Sequence, residues 1–568
     1  MQLFHRGSIQ FLLGLCLGVL VILVPVSQFQ TDSLDPLRTL AVQIEGRKKP
    51  LDTVAKETLL KIHGSPDYRS ATGERQDYLR TYLSLWFNTR NWNEEPIVLL
   101  HYRPLKEASG LPLTQKYFSF QDLMGNPALG SVVQQAHAQE TQNKPLTRLQ
   151  QEALTLEDRL QLLFESVGNP RLPIVPHPTD GKGTWAGIET ATSLYSPAAL
   201  APAIAKVAIL QDLLWQGNHH PPAALAPAIA QLKQTLQRLS PEVYPSAATL
   251  QREVHFNRFH PFAKAWRLYL LALGVMVASR WLSPGPLYWI ALGLFTAGIG
   301  VQAYGFLLRM QIAGRPPVTN MYESVVWVGF GIAAIALVFE GLSRAKYYLL
   351  AAAPLATVCL LLADSLPAVL DPTIAPLVPV LRDNFWLSIH VPTIALSYAS
   401  FALALGLGHV ALGTALFTPK ADQRFRRLSQ FNYRVLQVGI LLLTSGIILG
   451  GIWAHFSWGR FWGWDPKETW ALIALLCYLV PIHGRLVGWI GNFGINLASI
   501  LSFNAVLMAW YGVNFVLGTG LHSYGFGTGG SDLIIAAVVG VDLLFVLLVA
   551  ARHYGWLSAW TTSELSGH

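Results

Sequence analysis

Charge is what this sequence has least of. Only 13% of its 568 residues are Asp, Glu, Lys or Arg, while 52% are hydrophobic; soluble domains carry roughly 25% charged residues. That shortage excludes a chain built wholly of soluble globular domains and indicates a membrane protein. Acidic residues are the scarcer sign, 33 against 41 basic, and the net charge of +8 would suggest a nucleic-acid partner in a soluble protein. Here the basic residues sort by the positive-inside rule instead, so no nucleic acid is expected. Cysteine is also scarce. Cys16, Cys359 and Cys477 all lie in apolar segments, so the polar stretch over 29–265 cannot use a disulfide. No Cys-x-x-Cys-His occurs, which excludes covalent haem attachment to this chain itself.

Long apolar runs are present but unevenly placed. One follows Phe4-His5-Arg6 and ends near Gln28. It reads as a spanning helix and not a cleaved signal peptide, because about 20 residues suffice to cross a bilayer and no small-x-small site precedes Thr31-Asp32. Residues 29–265 alternate charged, aromatic and Pro-containing stretches, with helical periodicity from Leu146 to Phe164. Within them Pro197-Ala-Ala-Leu-Ala-Pro-Ala-Ile-Ala recurs word for word from Pro222 to Ala230, which predicts a local helix pair. From Trp266 onward, apolar segments fall at 266–282, 286–308, 321–342, 347–364, 385–417, 433–454, 469–488, 494–516 and 532–552. The expected fold is an all-α polytopic membrane protein of about ten transmembrane helices. It has a helix over 1–28, a mainly helical extracytoplasmic domain over 29–265 between helices 1 and 2, and a membrane domain over 266–568.

Basic residues set the orientation. Arg344 and Lys346, Lys420 with Arg424, Arg426 and Arg427, Arg485 and Arg552 fall on the side of His5 and Arg6, the cytoplasm. The opposite side receives the polar domain and the loops around Trp462 and His522. Arg309 and Arg315 break the rule there and ask for an anion, for which haem propionates are one candidate.

Five of the 18 tryptophans crowd between Trp453 and Trp470. An interfacial aromatic belt enriches tryptophan too, but does not need Gly459 and Gly463 between the rings or the charges of Asp465-Pro-Lys-Glu468. Aromatic planes with glycine clearance and fixed charges suit a large, flat, apolar ligand with polar edges.

The run Trp458-Gly-Arg-Phe-Trp-Gly-Trp-Asp-Pro-Lys-Glu-Thr-Trp470 resembles the tryptophan-rich signature of the haem-handling cytochrome c assembly proteins, most closely the CcsA (ResC) type. Thr319-Asn-Met-Tyr-Glu-Ser324, Leu387-Ser-Ile-His-Val391, Pro481-Ile-His-Gly-Arg485 and Tyr511-Gly-Val-Asn-Phe-Val-Leu-Gly-Thr-Gly-Leu-His-Ser-Tyr-Gly525 extend the resemblance, placing the assembly core at 298–552. Glu45-Gly-Arg-Lys-Lys-Pro-Leu-Asp-Thr53 resembles a segment of longer, fused relatives.

The resemblance implies that His390 and His522 are axial ligands to the iron of haem b on the periplasmic face of the plasma (inner) membrane. Trp458, Trp462, Trp464 and Trp470 would support the macrocycle. Asp465, Lys467, Glu468 and Arg460 would orient propionates or the arriving peptide, although solvated surface charge accounts for them equally. His483 matches the position that receives haem inside the bilayer. Its second histidine would come from a CcsB (ResB)-like partner; His409 and His5 stand at plausible depth but read as structural. The implied function is cytochrome c biogenesis, in which haem is presented for thioether attachment to the Cys-x-x-Cys-His motif of apocytochrome c, with haem transport across the membrane a possible addition. The implied activity is that of a cytochrome c haem lyase, or holocytochrome c synthase, with no residue acting as nucleophile. The alternatives are haem delivery of the CcmC or CcmF type, against which the helix count argues, and an unrelated membrane transporter.

Overall fold

The computed structural model describes residues 2–24, 33–69, 73, 75–142, 144, 146–216, 224–279, 281–282, 284–367, 369–417, 422–518, 520–522 and 532–555, the side chains of 2–6, 216, 284, 422 and 532 excepted. The side chains of His5 and Arg6, and residues Gln28, Thr31, Asp32, Pro222, Lys420 and Ser523 to Gly525, therefore lie outside the described residues. The protein is almost wholly helical, and strands among the described residues form three two-stranded antiparallel ribbons. Two compact units result. One takes Met1–Val26, His260–Pro372 and Leu377–His568; the other takes Ser27–Phe259 and Thr373–Pro376.

Helix α1 (Gln2–Leu23) opens the first unit. In the second, strands β1 (Ala41–Ile44) and β2 (Arg47–Pro50) pair antiparallel with Ile44 opposite Arg47. Glu45 and Gly46 join them at φ 53° and 75°, the two-residue turn whose twist matches paired strands. Helix α2 (Leu51–His63) follows at once. The Glu45–Thr53 segment thus forms a hairpin and a helix start, and its charges are spent inside the unit. Asp52 accepts from Arg38, Tyr78 and Asn257, and Arg47 makes a two-pronged pair with Glu253. Helix α3 (Arg148–Ser166) begins with a capping box between Thr147 and Gln150. The repeated nonapeptide gives the expected helix pair, α4 (Pro197–Gln216) and α5 (Leu225–Leu239). Leu200 and Ala203 in the first copy and Leu225 and Ala228 in the second are buried alike.

Ten described helices are long and apolar enough to cross a membrane. One of them, over Pro197–Trp215, belongs to the second unit and buries Leu200, Ala203 and Leu210 in that unit's core. The membrane unit contains α1 and α6 (Pro261–Ala278), α7 (Pro284–Ala313), α8 (Met321–Ser343), α9 (Tyr347–Ser365), α10 (Asn384–Phe417), α11 (Asp422–Trp458) and α12 (Pro466–Leu486). The segment expected over 494–516 is one continuous span, Asn492–Leu517, built of α13 (Asn492–Leu501), α14 (Phe503–Leu507) and a π-helix over Met508–Leu517. Helix α15 (Asp532–His553) closes the unit.

Apolar helices in lipid gain little from hydrophobic contrast, so close approach and hydrogen bonds must hold them together. Both are present. Asn432 on α11 donates to Asn496 and Ser499 on α13 at 2.9 Å each, and Asn496 donates back to Ser429 at 2.7 Å. Tyr269 on α6 donates to Gln302 on α7, which donates to the Val326 carbonyl on α8.

Arg309, at the far end of α7, needs no outside anion. Its Nε donates to Glu323 at 2.7 Å and its Nη1 to the Pro372 carbonyl at 3.0 Å, with the Arg and Glu side chains 2% and 1% exposed. The expectation of a haem propionate at Arg309 is therefore corrected. The anion is a carboxylate of the chain itself, placed there by the Asn320 cap of α8, which puts Glu323 in the first turn.

Candidate functional site

His390 and His522, 132 positions apart in sequence, line one cleft of the membrane unit. Trp453, Trp458, Trp462 and Trp510 line it too, as do Val318, Met321, Ile394, Tyr398 and Phe461. The cavity at the bottom of this cleft measures about 190 Å³ and opens to the surface.

His390 is set by the packing of α10 on α11. Glycines at 439, 446 and 450 of α11 let the two helices close. A Cβ at Gly439 would come within 2.5 Å of Phe401, at Gly446 within 2.6 Å of Ile394, and at Gly450 within 2.5 Å of the His390 ring. The imidazole thus occupies the space that Gly450 leaves. Its Nδ1–H donates to the Gly446 carbonyl at 2.9 Å, and the Trp453 ring meets it edge-on at 5.6 Å.

His522 is set by the start of α12. Asp465-Pro-Lys-Glu468 is a helix N-terminus in which Asp465 is the cap, Pro466 takes the first helical position, and Glu468 returns a bond to the Asp465 N–H at 3.2 Å. Glu468 also accepts from the Gly463 N–H at 2.8 Å and lies 3.5 Å from Arg460, so it pins the tryptophan loop. The Asp465 carboxylate also reaches beyond its helix. Oδ2 accepts from the Leu521 N–H at 2.6 Å, and Oδ1 accepts from His522 Nδ1–H at 2.8 Å. Burial alone would raise the Asp465 carboxyl, but the bond from His522 and the N–H groups of Lys467 and Leu521 outweigh it and hold it at about 2. Trp458 stands edge-on to the His522 ring at 5.0 Å.

The two loop glycines do different work from ligand clearance. Gly459 sits at φ 71°, the left-handed turn that ends α11. At Gly463 a Cβ would fall 1.6 Å from Arg460, so the guanidinium fills that space. Trp464 takes φ 58°, unusual for a bulky residue, and its side chain is 70% exposed.

The structure therefore brings His390, His522, Trp458 and Trp462 together, with Asp465 behind His522. Trp464 and Trp470 are not among the residues lining the cleft. His483 is at the other end of α12, exposed, its Nδ1–H bonded to the Leu479 carbonyl at 2.8 Å. His409 is engaged by Asp542 of α15 at 2.5 Å. Sequence reasoning gave no role to Trp510, Asn514 or Ser324, which line the cleft. For Ser324 and Asn514 the signal was present in the Thr319–Ser324 and Tyr511–Gly525 motifs, which were matched without a part for each residue; Trp510 stands one position before the second.

A sequence model of the family described as Cytochrome C assembly protein matches residues 318–522. Val318 and His522 are also the first and last residues lining the cleft. The chain is 33% identical over 298 residues to the cytochrome c biogenesis protein CcsA of Prochlorococcus marinus (strain MIT 9313), covering 46% of this chain and 92% of that protein. This chain belongs to the cytochrome c assembly family, of the CcsA type. A second CcsA, from Gloeothece citriformis, is 34% identical over 301 residues, covering 43% of this chain and 90% of that protein. Protein NrfI of Wolinella succinogenes is 30% identical over 513 residues, 85% of this chain, so the likeness takes in much of the Ser27–Phe259 unit as well. The chain spans about half of NrfI, 53% of its length. In this cytochrome c assembly protein, then, the family's matched span and the cleft coincide.

Proposed function

We propose that this protein holds haem b in the cleft between His390 and His522 and presents it to the Cys-x-x-Cys-His motif of apocytochrome c for thioether attachment. One observation carries the reading. Both histidines line the same cleft, and each commits Nδ1–H to a fixed acceptor, Gly446 for one and Asp465 for the other. That arrangement selects the tautomer whose Nε2 lone pair can ligate a metal, with an outer partner orienting each ring. The aromatic walls and the open mouth suit a flat macrocycle with one reactive edge, and the donor set of two neutral imidazoles fits haem iron.

Haem supplies the vinyl groups, and each accepts one cysteine thiol: the sulfur bonds to one vinyl carbon and a proton goes to the other. The chain's own residues position the partners and supply no nucleophile. His390 and His522 hold the iron and keep other ligands from it, while Trp453, Trp458 and Trp462 exclude water from the ring faces. Asp465 orients His522. Replacing Asp465 with Ala should weaken haem binding by about 10–100-fold, the usual cost of losing such an outer partner, and should also lower α12 helix stability through the lost cap. A haem titration that gives unchanged affinity for this variant would contradict the role.

The cleft lies, in this reading, on the periplasmic face of the inner membrane, the side opposite Arg344, Lys346, Arg424, Arg426, Arg427, Arg485 and Arg552. His483 belongs to an earlier, intramembrane step. It shares a face of α12 with exposed Leu476 and Val480, an apolar stripe open to lipid or to another helix that exposed Val487 continues just past the helix end. A CcsB-like partner docked there would bring the second histidine. The engagement of His409 with Asp542 supports an external source over an internal one. His483→Ala should cut the haem reaching the cleft while sparing the cleft's own affinity for haem added to the purified protein. The test of the whole reading is coexpression in cells lacking their own assembly system. This chain with a CcsB-like subunit and an apocytochrome c should yield holocytochrome c, and the chain alone should yield little. Full maturation by the chain alone would overturn the partner, and none in either case would overturn the attachment function.

A further inference from the structure

We infer that the end of the cleft formed by Lys467 and Asn514 is a carboxylate-binding subsite that takes the propionate edge of haem, an inference that rests on the haem reading above. Lys467 is the one Lys or Arg among the described residues lining the cleft. Its place follows from the helix start. Pro466 fixes the first position of α12, and the Lys467 N–H donates to Asp465 at 3.0 Å, so the backbone of the lysine is locked. Its Nζ donates to Asn514 Oδ1 at 3.0 Å. Glu468 also lines the cleft, its carboxylate accepting from the Gly463 and Asp465 N–H groups, and Asp465 accepts from His522 and the Leu521 N–H.

The groups beside Lys467 are held just as firmly. Asn514 lies on the π-helix, a widened turn of the kind found at functional sites, and its Nδ2 donates to the Trp510 carbonyl at 2.7 Å. Trp510 Nε1 donates to Ser324 Oγ at 3.0 Å, and Ser324 donates to the Met321 carbonyl at 2.9 Å. One bonded chain thus joins α12, the π-helix and α8 around the lysine. An ammonium beside an amide that keeps one N–H uncommitted, set into a mainly aromatic and aliphatic cleft, is a donor set for a carboxylate.

The subsite supplies what two axial histidines cannot. Ligands above and below the iron fix the macrocycle along one axis and leave it free to turn about that axis. Haem carries both carboxylates on one edge, and an anchor there stops the rotation and turns the vinyl groups away from Lys467. Which vinyl meets which cysteine is then set by the protein before the peptide arrives.

The test compares haem with haem dimethyl ester, which keeps iron and vinyls but lacks both negative charges. Each is titrated, reduced, into the full-length protein purified with its partner subunit and stripped of bound haem. The wild-type protein should prefer the free acid by about tenfold or more, as expected for a charge-assisted carboxylate contact. Lys467→Met should bring the two ligands to near parity while keeping the two-imidazole spectrum with both, and Lys467→Arg should restore part of the preference. Asn514→Leu should also reduce it, which keeps the test open should Lys467→Met fail to fold. Equal binding of acid and ester by the wild type, or an unchanged preference in Lys467→Met, overturns the subsite and leaves the histidine site standing. If the wild type binds neither ligand, or if His390→Ala and His522→Ala leave the spectrum unaltered, the haem reading fails and the subsite falls with it.

Discussion

His390→Ala and His522→Ala are each expected to abolish holocytochrome c formation and to lower copurifying haem by about tenfold or more, because each would remove one of the two proposed axial ligands. The two variants should differ in rescue. The His390 ring fills the space above Gly450, within 2.5 Å of where a Cβ would stand, so its removal leaves an imidazole-shaped gap beside the Gly446 carbonyl acceptor. Added imidazole should enter that gap and restore part of the haem content and part of the maturation. His522 is 24% exposed and owes its orientation to Asp465. Imidazole should restore that variant less, since a free ring gains fewer contacts there. Haem content and cytochrome yield are measured together, and unchanged values in both variants would rule out the paired-histidine site.

Glu323→Ala should be the most destabilising single change in the membrane unit. It leaves Arg309 buried at 2% exposure with its carboxylate gone, and breaking a buried pair costs about 3–5 kcal/mol. That is a large part of the roughly 5–15 kcal/mol that holds a folded protein together. The expected readout is a sharp fall in monodisperse detergent-solubilised protein and a lower thermal midpoint. The double replacement Arg309→Met with Glu323→Leu should recover most of both, since apolar residues of similar size can replace a buried pair at little cost. The double variant should also keep its haem. If it recovers stability but loses haem, Arg309 touches the ligand after all.

Much of the fold was legible because membrane spans announce themselves by length and by lack of charge, the one pattern a bilayer enforces. The motifs singled out His390, His522, Trp458 and Trp462, which the fold brings to one cleft. What went unread shares a cause: residue type was taken without its local geometry. Asp465-Pro-Lys-Glu468 is also a helix start, and its capping box was there to be read. Gly463 looked like room for a ligand and holds Arg460 instead. Arg309 looked unpaired because its partner is 14 positions away on the next helix, a distance at which pattern gives no contact. The π-helix that presents Trp510 and Asn514 was invisible, since the widened turn comes from packing and leaves no periodic trace in the sequence.

The central claim is that this chain binds haem through two imidazoles, and the absorption spectrum of the reduced, detergent-purified full-length protein from haem-replete cells tests it most directly. A b-type, six-coordinate, low-spin spectrum that is lost when His390 and His522 are both replaced by Ala is the predicted result. Colourless wild-type protein, or a spectrum indifferent to both replacements, would contradict it.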